Sequence, residues 1–151
     1  MGTAYETDIV AWANEQAALL RSGDMSAIDI EHVAEEIEDV GKSEQRELRS
    51  RMSVLLAHLL KWQYQPERRG NSWGRTIREQ RKGIVMALED APSLKIKLDN
   101  DEWVERVWSD ALAQAMGETD LDVFPEKCPW SMKDVLEKWW VPKFAVQQKV
   151  T

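Results

Sequence analysis

Apolar residues recur along this chain at steps of three and four, and no Val/Ile/Thr-rich alternation appears, so the pattern predicts helices and no strands. The first segment, about Tyr5 to Arg21, sets Tyr5, Ile9, Trp12, Ala13, Gln16, Leu19 and Leu20 on one stripe, with Gly23 just past its end as a C-cap. Asp29 then stands as an N-cap for a long pattern that runs to about Tyr64 and stops at Pro66. At about 100° per residue, Ile30, Val33, Ile37, Val40, Leu48, Met52, Leu55, Leu59 and Trp62 share one face. So long a segment marks Gly41 as a kink, or as a place where another helix crosses closely.

Ser72 is expected to cap a third helix, about Trp73 to Asp90, with Trp73, Ile77, Gln80, Ile84 and Leu88 inward and Pro92 closing it. A fourth, about Asn100 to Met116, aligns Trp103, Val104, Val107, Trp108, Ala111 and Ala115, and Gly117 ends it. The stretch from Asp120 to Pro129 reads as a loop. Ser131 with Asp134 then resembles a capping box for a short last helix ended by Pro142. No internal repeat interrupts this order. The expected architecture is all-α: a single-domain helical bundle of four main helices plus a short C-terminal one, core about 5–142 and a tail over 143–151.

The composition narrows the class. At 151 residues with 43% hydrophobic and 31% charged residues, the chain has the balance of a globular domain with its own core. Its formal net charge of −7 argues against bulk nucleic-acid binding. No stretch approaches the ~20 apolar residues of a membrane span. Met1–Asp8 lacks a basic region and an apolar run, so no secretory signal is expected and the location expected is cytoplasmic. One cysteine, Cys128, leaves no room for an internal disulfide or a Cys-based zinc ribbon, and two histidines cannot supply a three-His metal site. No phosphate loop, dinucleotide fingerprint or nucleophile elbow occurs. The reading therefore names no catalytic residue, cofactor or metal ligand.

Three features could carry function. Glu35, Glu36 and Glu38 follow His32 within two turns, but no Glu-x-x-His motif occurs, and a solvated acidic face explains them better. From His58 to Lys82 seven Lys/Arg face two Glu, a local +5 interleaved with Trp62, Tyr64 and Trp73, which leaves −12 for the remainder. Arg75, Arg78 and Lys82 lie opposite the apolar stripe of their helix, where solvated charge belongs. The inward face of the second helix is itself interrupted by polar residues. Glu44 and Arg51 fall on the stripe and Glu47 and His58 at its edge, while Gln80 and Arg81 would approach from the third helix. Such charges pair when buried. The six form a candidate polar layer, structural if closed and a small-ligand site if open.

Eight tryptophans are many for this length, and Trp12, Trp62, Trp73, Trp103 and Trp108 fall on apolar stripes as core. Trp139 and Trp140 are adjacent, so a helix cannot turn both to one face, and one is expected to reach a partner or a neighbouring helix.

The run His58-Leu59-Leu60-Lys61-Trp62-Gln63-Tyr64-Gln65-Pro66 resembles a known family. Ala34-Glu35-Glu36-Ile37-Glu38, Gly41, Ser72-Trp73, Thr76-Ile77, Gln80-Arg81, Pro92-Ser93-Leu94, Phe124-Pro125 and Cys128-Pro129 continue the likeness. It is similar to the domain of unknown function 29 family, bacterial proteins, from Tyr5 to about Pro142. The resemblance implies an all-α fold and no assigned activity. His32 stands where the family is expected to carry Asn, which weakens a metal role for it.

The reading that follows is a non-enzymatic protein-interaction module, its partner surface drawn from Arg75, Arg78, Lys82, Trp139 and Trp140. The alternative is a small polar or anionic ligand site or enzyme built on the polar layer. Nucleic-acid binding through residues 58–82 comes third.

Overall fold

A computed structural model describes residues 2–144 and, among them, five α-helices and no strand. They are α1 (Ile9–Ser22), α2 (Ile30–Tyr64), α3 (Asn71–Asp90), α4 (Asp101–Thr119) and α5 (Met132–Leu136), with 3₁₀ turns at Met25–Ala27, Pro66–Arg68 and Pro92–Asp99. The all-α bundle with a long second helix is therefore the fold. Helix α2 runs through Gly41 without a break. The tail expected over 143–151 lies, from 145 on, outside the described residues.

Several boundaries differ from the sequence expectation for local reasons. Helix α1 starts later, at Ile9, because the Asp8 carboxylate accepts from the Ala11 N–H and fixes the first turn there. Gly23 ends it in the left-handed region as expected, at φ 79°. Helix α3 starts at Asn71 with Gly70 as its N-cap, so Ser72 lies inside the helix and is no cap. Helix α4 passes Gly117 and ends only where Asp120 turns left-handed at φ 59°. Ser131 does cap α5 by accepting from the Asp134 N–H, but that helix ends at Leu136, well before Pro142.

The described residues divide into two compact units, one up to Glu44 and one from Gln45. In the first, Trp12 and Gln16 are the buried residues of α1. The Gln16 side-chain oxygen accepts the Asp29 N–H at 2.8 Å, and the Trp12 indole donates to Asp29 Oδ2 at 3.0 Å. Eleven Asp and Glu against Arg21 and Lys42 give this unit a formal charge of −9. Its share of the predicted α2 stripe is not buried: Ile30, Ile37 and Val40 are each about two-thirds exposed, and only Val33 is half-buried. The expectation of a continuous buried stripe fails here.

The second unit holds the larger core. Leu48, Met52, Leu55, Leu56, Ala57, Leu59 and Leu60 of α2 are completely buried, so this half of the helix is covered nearly all round. Ile77, Ile84 and Leu88 of α3, Leu94 of the Pro92–Asp99 turn, Val107, Trp108, Ala111 and Ala115 of α4, and Val135 of α5 complete the cluster. Each fully buried Leu contributes about 1.5–3 kcal/mol by removal from water. Trp62, Trp73 and Trp103, expected inside, are half-buried. Among the described residues no helix is long and apolar enough to cross a membrane.

Candidate functional site

Arg81 occupies a core position of α3, between Ile77 and Ile84 on the buried stripe, and is only 5% exposed. Among the described residues its guanidinium meets backbone carbonyls and no carboxylate. Nε donates to the Val135 oxygen at 2.8 Å, Nη1 to that of Lys138 at 3.2 Å, and Nη2 to that of Trp140. The planar five-donor fork of arginine suits such a spread of acceptors, and it anchors the segment from 135 to 140 against α3. Burial lowers the Arg81 pKa from the ordinary arginine value, with Glu137 opposing at a distance. Arginine keeps its charge at neutral pH, and among the described residues no ion pair to a carboxylate is formed by Arg81.

Beside this anchor lies an open groove of about 580 Å³ between α3 and the α5 segment. Val85, Met86 and Leu136 provide its apolar surface, and Arg78, Arg81, Lys82 and Lys138 face one carboxylate, Glu89. Four cations against one anion around a low-dielectric wall give a positive local potential. Trp140 is half-buried and meets Trp130 edge-on at 5.7 Å, while Trp139 is 76% exposed with the Lys138 ammonium 5.2 Å from its ring. The adjacent pair thus points two ways, one ring inward and one to solvent. Arg75, Arg78 and Lys82 are exposed.

The six-residue polar layer does not assemble as one network. Arg51 pairs with Glu47, Nε to Oε1 at 3.2 Å, and donates from Nη1 to Gln80 Oε1 at 3.3 Å. Glu44 is exposed in the other unit. His58 Nδ1–H donates back to the Val54 carbonyl at 2.9 Å, and burial lowers its pKa from the ordinary value. The cause is the rotation of the helix. Gln80 faces α2, and Arg81, one residue on, is turned about 100° from it. That turn aims it at α5 instead of the gap between Arg51 and His58.

Other cations of the basic segment are also engaged internally. The Lys61 ammonium is buried and reaches Glu118 Oε2 at 2.5 Å, 5.2 Å from the Trp73 ring. That contact lowers the Glu118 pKa. Arg69 donates from Nε to the Trp62 carbonyl at 2.6 Å and stacks on the Trp62 ring at 5.1 Å. With Arg81 these make three of the seven basic residues, which leaves Arg68, Arg75, Arg78 and Lys82 exposed.

Sequence reasoning missed a second cluster, in the first unit. His32 Nδ1 lies 2.7 Å from Asp29 Oδ2, and its ring stacks on Tyr5 with centroids 4.1 Å apart. The Tyr5 hydroxyl donates to Glu36 Oε1 at 2.5 Å, which pushes its pKa up to about 12. The hydrogen bond to Asp29 raises the His32 pKa. The Asp29-x-x-His32 spacing is the signal that could have found the pair. Among the described residues no group of three or more His, Cys, Asp or Glu could hold a metal ion.

No curated protein and no solved structure matches the chain. One family model does, over residues 4–141, and its description is a domain of unknown function, DUF29. With nearly its whole length covered by that match, the chain belongs to the DUF29 family.

Proposed function

We propose that this chain is a protein-interaction module whose α3–α5 groove holds an acidic, apolar-bearing segment of a partner protein. The observation that carries the reading is the groove's composition: Arg78, Arg81, Lys82 and Lys138 around Val85, Met86 and Leu136. Val85 and Met86 are 39% and 52% exposed, surface that a partner's apolar side chains would cover. Methionine adapts its shape to different contacts, as docking surfaces use it. The cations select acidic flanks and steer association, and Trp139 adds an exposed aromatic anchor beside the groove.

The test is titration of the whole chain with a synthetic helical peptide bearing leucines at i, i+3 and i+7 and glutamates elsewhere. Binding should weaken at least about tenfold in Arg78→Glu with Lys82→Glu, and also in Met86→Ser. Unchanged affinity in both variants sinks the reading. Equally tight binding of citrate or phosphate alone would favour a small-anion site instead.

A further inference from the structure

Within the first unit, Ile30, Val33, Ile37 and Val40 follow the 3–4–3 spacing of the a and d positions of a heptad. They form one ridge about 15 Å long on α2. Ile30 is 64% exposed and Ile37 and Val40 are 67% exposed, with only Val33 half-buried, so most of the ridge is open. His32 and Glu36, on one flank of the ridge, hold Tyr5. Ala34 and Gly41 border the ridge, and a Cβ built on Gly41 would meet nothing within 4 Å. A second helix could therefore approach closely.

The charge around the ridge names its occupant. Glu31 and Glu38 lie beyond Ala34 and Gly41 on one side and Glu36 lies on the other, while Glu44 continues the ridge itself. The unit carries −9. A second copy paired ridge against ridge would bring like charge against like and place Glu44 in the seam, an arrangement that coiled-coil pairing rules disfavour. A helix with apolar residues at i, i+3, i+4 and i+7 and Lys or Arg along its flanks meets both the ridge and its rim. We infer that the exposed α2 ridge of the first unit docks a basic amphipathic helix of a partner protein, separately from the groove of the second unit.

The probe is a 16-residue peptide of leucine and lysine with a heptad pattern, followed by fluorescence anisotropy at about physiological salt. The control is a scrambled peptide of the same composition. The whole chain should bind the patterned peptide at least tenfold more tightly than the scrambled one. Ile37→Ser with Val40→Ser should weaken binding at least tenfold with the circular dichroism spectrum unchanged. Glu31→Gln with Glu38→Gln, which leaves the apolar ridge whole, should weaken it several-fold, and Lys95→Gln, exposed in the second unit, should leave it unchanged. Equal binding of both peptides, or no loss in Ile37→Ser with Val40→Ser, overturns the inference. So does concentration-dependent self-association that the same double variant abolishes, because the ridge would then belong to a second copy.

Discussion

The guanidinium of Arg51 lies in the space that a side chain on Gly83 would take: a Cβ there would stand 2.6 Å from Nη1 and 2.9 Å from Cζ. The arginine reaches Gln80 on α3 by crossing this glycine. Gly41 of α2 is the opposite case, a helical glycine with open space around its missing Cβ. Gly41→Ala should therefore raise stability by about 0.5–1 kcal/mol through reduced backbone entropy of the unfolded chain. Gly83→Ala makes the same gain but displaces Arg51 from a half-exposed pair worth up to about 1 kcal/mol, so its net change should fall near zero. Urea unfolding of the two variants side by side checks the contrast. Equal effects would contradict the close approach.

Arg81 is the anchor of the C-terminal segment. Arg81→Ala removes the donors of three carbonyls, two of them in a part-buried setting, and should cost about 3 kcal/mol. Limited proteolysis should then cut within residues 136–141 much faster than in the parent chain. Arg78→Ala, one turn earlier and exposed, should change stability by less than about 0.5 kcal/mol.

The Lys61–Glu118 pair joins a buried ammonium to a carboxylate that is 45% exposed. Glu118→Gln should destabilise by about 1–3 kcal/mol, less than a fully buried pair would, because water reaches the carboxylate. Lys61→Met added to Glu118→Gln should recover most of the loss. The folded-state pKa of Glu118 is lowered, so its contribution is complete above the unfolded value of roughly 4.3 and is lost as pH falls through the lower folded value. Acid titration of thermal stability should be shallower in the Gln variant.

With only two histidines, proton NMR resolves both. His32 should titrate above the ordinary value of about 6.5, owing to Asp29, and His58 below it, owing to burial. The two linkages have opposite signs. The His32 contribution is complete below about 6.5 and disappears as pH rises through its raised folded value. The His58 contribution is present above about 6.5 and is lost as pH falls through its lowered one. Asp29→Asn should return the His32 titration toward the ordinary value and leave His58 in place.

Helix content was legible because periodicity is a property of local sequence. The approximate positions of α1 to α5 and the caps at Gly23 and Ser131 follow from residue order and backbone chemistry, whereas the unbroken run of α2 through Gly41 was decided only by the structure. The family likeness was equally legible in the His58–Pro66 run. Which faces are covered was not. Ile30, Ile37 and Val40 share their stripe with Leu48, Met52 and Leu55, yet the first three are exposed and the last three fully buried. Burial depends on what packs opposite a face, and a one-dimensional pattern does not contain that. The destination of Arg81 was decided in the same way. Gln80 and Arg81 are neighbours in sequence but point about 100° apart, and only the packing of the α5 segment beside α3 supplies the three carbonyls that Arg81 holds.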